Sequence, residues 1–121
     1  MTPGAAPIVV RRSRSVELVD EPLSPEAVLE GSPLPADGAI SSWSGDAGVL
    51  TGVWRCSPGR FTDVEADETF VVLAGRATIE PDAGERVELS AGDVCVLPSG
   101  LRTTWTIHET LLKVYVIADG V

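Results

Sequence analysis

The sequence predicts an all-β barrel. From Ala39 onward, short runs of β-branched and aromatic residues recur, and glycine, proline and aspartate divide them at fairly even spacing. Helical periodicity is almost absent. At 121 residues the chain is of single-domain size, so one hydrophobic core is expected. With 44% hydrophobic and 22% charged residues, the composition excludes a disordered chain or a fibrous rod.

Residues 1–38 read as a proline-rich N-terminal arm, because six of the nine prolines (Pro3, Pro7, Pro22, Pro25, Pro33 and Pro35) lie there. Residues 8–10 and 16–19 could each add a short edge strand, whereas the link after them cannot enter a central sheet. Residues 24–30 read as a brief helical turn: Ser24 can cap it, Pro25 suits the first helical position and Gly31 can end it. The barrel domain is expected over residues 39–121. Its strands are predicted near 39–44, 49–56, 68–74, 76–80, 86–90, 94–97, 103–108 and 111–117. Turns are expected at 45–48, 57–59, Gly75, 81–84, 91–93, 98–100 and 108–110, which hold residues that tolerate tight or left-handed backbone.

Strand alternation groups the side chains that share a face. Glu68, Phe70 and Val72 form one set, Thr103, Trp105 and Ile107 another, with Lys113 and Tyr115, and Val87 and Leu89, as further pairs. Both faces of 68–74 and 111–117 are largely apolar, so a second layer or a partner subunit is expected over the outer face.

Nine basic and eighteen acidic residues give a net charge of −9. That field repels phosphate backbones and anionic bilayers, so nucleic acid and membrane are not expected partners. The longest apolar run, near the C-terminus, is broken by Lys113 and is too short to span a bilayer. Arg11, Arg12 and Arg14 follow the first apolar stretch instead of preceding it, which is not the order of a secretory signal. Cys56 and Cys95 lack the spacing of a zinc or redox motif and read as free thiols, in keeping with a cytoplasmic location.

Two stretches carry a resemblance. Glu68 and Gly75 meet an E-x6-G pattern, and Gly92, Pro98 and Gly100 meet G-x5-P-x-G. Together they resemble the two motifs of the cupin superfamily over roughly residues 40–118. Trp54, Trp105, Lys113 and Tyr115 are further similar to the subgroup that includes ureidoglycine aminohydrolase. The resemblance implies a double-stranded β-helix, or jelly-roll barrel, commonly a homodimer whose N-terminal arm packs on its neighbour.

The superfamily's metal site is a His-x-His before the motif glutamate and a further histidine after the second motif. The corresponding positions here are Thr62 and Val64, or Phe61 and Asp63, and then Thr103. The sole histidine, His108, falls in the predicted turn before the last strand, so no histidine-ligated metal is expected. Counting from Gly59 puts the slots on Glu65 and Asp67, where an oxygen-ligated ion such as manganese is a lesser alternative. Asp63, Glu65, Asp67 and Glu68 lie so close together that the bland expectation is a solvated acidic loop.

Glu68 should face the barrel interior, where a carboxylate needs a partner, and Lys113 can supply it. Glu68, Lys113 and Tyr115 are the candidate catalytic residues, since a tuned base with an acid in reach suffices for cofactor-free proton transfer. Trp54, Phe70 and Trp105 could wall a ligand cavity, Thr103 could hydrogen-bond its occupant and Arg102 could pair with an acidic one. Each also has a plain structural reading as core, ion pair or solvated surface. The leading expectation is a metal-free barrel binding a small polar metabolite. The alternatives are an aminohydrolase, lyase or isomerase using Glu68, and a structural or regulatory dimer module.

Overall fold

The computed structural model describes residues 8–44 and 48–118, and every described element is a strand. The nine strands are β1 (Glu21–Pro22), β2 (Val28–Glu30), β3 (Ala36–Ser44), β4 (Val49–Cys56), β5 (Gly59–Val64), β6 (Asp67–Pro81), β7 (Val87–Ser90), β8 (Val94–Leu97) and β9 (Arg102–Ala118). The all-β roll expected from the sequence is the fold observed. Most of the predicted turn at 45–48 lies outside the described residues.

Two long antiparallel strands, β6 and β9, organise the barrel because each serves two sheets. The second half of β9 pairs with β4 and with the first half of β6, and β3 and β8 extend this sheet on either side. The first half of β9 pairs with β5 and with the second half of β6, and β2 and β7 flank that sheet. The strand breaks predicted at Gly75 and at 108–110 are therefore corrected: each is a bend within a continuous strand. The β6–β9 register shifts repeatedly between Val72 and Ala77, extra residues that turn the ribbon from one sheet into the other. Gly75 sits there at φ +87°, and a Cβ on it would strike the Thr110 carbonyl.

The arm also departs from expectation. Residues 8–10 and 16–19 form no strands; Glu21–Pro22 pairs with β3, and Val28–Glu30 pairs with β5. Residues 25–27 make one turn, and the predicted helix goes no further, because pairing Val28 with Phe61 satisfies more backbone than the local capping signals could. Strand β5 was missed outright. Phe61 is its single buried residue, so it has no apolar alternation to reveal it. The arm lies on its own barrel: Arg11 donates to Ser41 O and Ser42 Oγ, Arg14 to Leu73 O (3.2 Å), and Arg55 pairs with Asp20 (2.9 Å).

The core fills the space between the sheets with Phe70, Val72, Leu111, Ile79, Leu89, Leu97, Trp105 and Ile107. Glu68, Phe70 and Val72 share the inner face as alternation requires, as do Thr103, Trp105 and Ile107. Leu89 is buried, but its same-face neighbour Val87 reaches the sheet's exposed end. On the outer face, Val9, Arg11 and Ser13 lie near Val53 and Val114, whereas Val94, Val96 and Val116 stay 67%, 72% and 44% exposed. Among the described residues no helix is long and apolar enough to cross a membrane.

Candidate functional site

One end of the barrel holds a cavity of about 310 Å³, at the small end of the roughly 300–1,000 Å³ typical of small-molecule sites. Trp54, Phe61, Trp105 and Tyr115 form apolar walls; Asp37, Asp63, Glu65, Glu68 and Lys113 supply the charges. Leu23, Ser24 and Ala27 of the arm roof it. That strap is held at both ends, by Leu23 N–H to Pro35 O (2.9 Å) and Thr62 N–H to Ala27 O (2.9 Å).

Cross-strand register brings Lys113 opposite both Trp54 and Val72, and Tyr115 opposite both Gly52 and Phe70. A Cβ at position 52 would meet the Tyr115 hydroxyl, so glycine there gives the phenol its room. The Lys113 ammonium lies 2.7 Å from Glu68 Oε2, with both side chains about 7% exposed. It also sits 4.3 Å from the Phe70 ring centre, 4.7 Å from Trp54 and 5.1 Å from Trp105, inside cation–π range. Carboxylate and ring faces together replace the water this cation has lost. Burial raises the Tyr115 phenol above its ordinary range.

A second acidic feature centres on Glu65, which the sequence offers only as a slot for an oxygen-ligated ion or as part of a solvated loop. Glu65 is only 6% exposed, and its Oε2 accepts hydrogen bonds from Thr103 Oγ1 (2.6 Å) and Trp105 Nε1 (2.8 Å). Its backbone is pinned to the 98–101 turn through Glu65 N–H to Leu101 O (2.9 Å) and Gly100 N–H to Glu65 O (2.7 Å). Asp63, at the end of β5, faces it across the cavity mouth. Removal from water first, and then the neighbouring Glu65 carboxylate, push the Asp63 carboxyl up from 3.8 to about 6. The expected solvated acidic loop is therefore corrected: Glu65 and Glu68 turn inward while Asp63 and Asp67 are exposed, and Asp67 Oδ1 accepts from Ser99 N–H (2.8 Å).

Of the residues singled out from sequence, Trp54, Glu68, Trp105, Lys113 and Tyr115 converge on the cavity. Phe70 is buried beneath Lys113, and Thr103 is committed to Glu65. Arg102 is exposed and lines, with Asp82, an adjoining depression that shares Thr62 and Asp63 with the cavity, but it is not among the cavity's own lining residues. Asp37 had no sequence signal; it accepts from Trp54 Nε1 (2.9 Å) and orients that ring. His108 lies within β9, not in a turn, and meets Thr78 Oγ1 (2.7 Å) away from the cavity. Both cysteines are free, and burial pushes the Cys56 thiol up to about 12, which leaves little nucleophilic thiolate.

The EutQ-like cupin domain family matches residues 44–115, more than half the chain. The chain belongs to this family. Among solved structures, EutQ from Clostridium difficile is 20% identical, with a TM-score of 0.67 over 90% of this chain and 86% of that one. A DUF861-family protein of unknown function from Pseudomonas syringae pv. tomato is 22% identical, with a TM-score of 0.73 over 86% of this chain and 45% of that one. A protein of unknown function from Rhizobium leguminosarum is 28% identical, with a TM-score of 0.61 over 69% and 82% of the two chains. No match was found among curated proteins.

Cupin folds can bind metals, but the donors in this EutQ-like cupin do not fit the superfamily's histidine-held ion. Thr103 stands where a ligand histidine is expected and is bonded to Glu65. Glu68, the motif glutamate, is already paired with the Lys113 ammonium and is not free to ligate an ion. Glu65 and Asp67 point apart, and among the described residues no three of His, Cys, Asp and Glu come together as a ligand group.

Proposed function

We propose that this EutQ-like cupin binds a small polar metabolite in the barrel cavity without a histidine-ligated metal. The observation that carries this reading is the cavity itself: flat Trp54 and Trp105 walls enclose a few fixed polar groups, with Glu65, Glu68 and Lys113 held by defined partners. Preorganised polar groups in an apolar pocket suit orientation of a small ligand. A thermal-shift screen of small amines, carboxylates, ureides and sugars tests it. A hit at one hundred times its dissociation constant adds about 2.7 kcal/mol to stability. No shift from any class would refute the reading.

A second reading, favoured by the raised carboxyl of Asp63 beside Glu65, is cofactor-free acid–base chemistry of the isomerase, lyase or aminohydrolase kind. Here Asp63 and Glu65 join Glu68, Lys113 and Tyr115 as candidate groups. Turnover lost in Asp63→Asn with binding retained supports it; turnover unchanged in Asp63→Asn, Glu65→Gln and Glu68→Gln excludes it.

The expected homodimer finds support in the outer face of β6, β8 and β9, where Val94, Val96 and Val116 form an exposed apolar patch. Light scattering on Val96→Lys tests this: loss of a dimer places the second copy on this face, and an unchanged dimer removes it. The free thiols are in keeping with a cytoplasmic location.

A further inference from the structure

Four carboxyl groups, Asp37, Asp63, Glu65 and Glu68, line the cavity against one cation, Lys113. That cation is committed, lying 2.7 Å from Glu68 and covered by three rings, so an anionic ligand would find no free positive group among the described lining residues. Glu65 is the opposite case. The hydrogen bonds from Thr103 and Trp105 both end on its Oε2. Among the described residues no N–H or O–H donor reaches Oε1 except what a protonated Asp63 carboxyl can offer. A carboxylate more than nine-tenths buried that lines a cavity, with only an acidic carboxyl beside its second oxygen, has the donor requirement of a bound cation. The aromatic walls match the same chemistry, because Trp54 and Trp105 already hold an ammonium in Lys113.

We infer that the cavity selects small ligands bearing an ammonium group, its N–H donors on Glu65 Oε1 and the Asp63 carboxyl and its alkyl part against Trp54 and Trp105. This inference rests on the cavity being a small-molecule site and adds the sign of the ligand's charge. The limited volume favours a compact amine over a large one.

The test is calorimetry at constant ionic strength with n-propylamine and the isosteric probes 1-propanol and propionate, alongside Mn²⁺ alone. The amine should bind, 1-propanol and propionate should bind at least tenfold more weakly, and Glu65→Gln and Asp63→Asn should each weaken the amine roughly tenfold. Asp63 is exposed, so Asp63→Asn reports on binding even where Glu65→Gln disturbs folding. Propionate or 1-propanol binding as tightly as the amine overturns the charge assignment but leaves the cavity a binding site. Mn²⁺ binding more tightly than the amine, or amine binding that ignores both variants, also overturns it. Failure of every probe, together with a blank thermal-shift screen, removes both readings.

Discussion

Glu65 and Glu68 lie three residues apart, both buried beneath the same strap, yet their surroundings differ in kind. Glu68 meets a full positive charge at 2.7 Å, and that charge is wrapped by aromatic rings. Glu65 meets only the neutral donors of Thr103 and Trp105, with Asp63 as its acidic neighbour. The first arrangement is electrically complete and needs nothing from outside. The second lines the cavity with an acidic carboxyl as its further neighbour, and it raises the proton affinity of that group. Two buried acids on one stretch of chain thus divide between holding the barrel and facing an occupant.

The largest break in this comparison should come from Lys113→Met. Stranding Glu68 without its cation should cost about 3–5 kcal/mol in urea unfolding, whereas Lys113→Met combined with Glu68→Leu should recover most of that loss. A double variant as unstable as the single one would mean that packing of the lysine stem dominates. Trp105→Phe comes next. It leaves Glu65 with Thr103 as its remaining neutral donor, and a loss of about 1–3 kcal/mol is expected by the same measurement.

The smaller effects concern protons. Glu65→Gln should lower the Asp63 carboxyl below about 6 without returning it to 3.8, because its largest cause, removal from water, remains; carboxyl NMR titration reads this directly. Asp63 also makes stability depend on pH in a defined direction. Its folded carboxyl binds a proton more tightly than the unfolded one, so its contribution is fully present below about pH 4 and is lost as pH rises through about 6. Melting temperatures of Asp63→Asn across pH 4–8 should show a shallower fall over that window than those of the unchanged chain. An identical slope would place the proton elsewhere.

The inward set of the central strands was legible because period-two alternation is local: Glu68, Phe70 and Val72 declare a shared face in five residues. The ends 49–56 and 94–97 were equally readable, bounded by glycine, proline and aspartate. Gly75 and the 108–110 segment misled because their turn-prone residues mark bends in strands shared by two sheets, a fact of closure that no short window contains. The inward direction of Glu65 was hidden for a related reason. It lies in the link between β5 and β6, where alternation gives no direction, and its partners Thr103 and Trp105 are 38 and 40 residues away. Asp67, in the same acidic run, does behave as a surface residue, whereas Asp63 is exposed and yet lines the cavity.

The strap beside the cavity ties occupancy to backbone motion. Leu23, Ser24 and Ala27 line the cavity, and the hydrogen bonds from Leu23 N–H to Pro35 O and from Thr62 N–H to Ala27 O hold that crossing in place. Exchange of those two amides with deuterated solvent should therefore slow when the barrel is filled, because an occupant packed against this short crossing opposes its fraying.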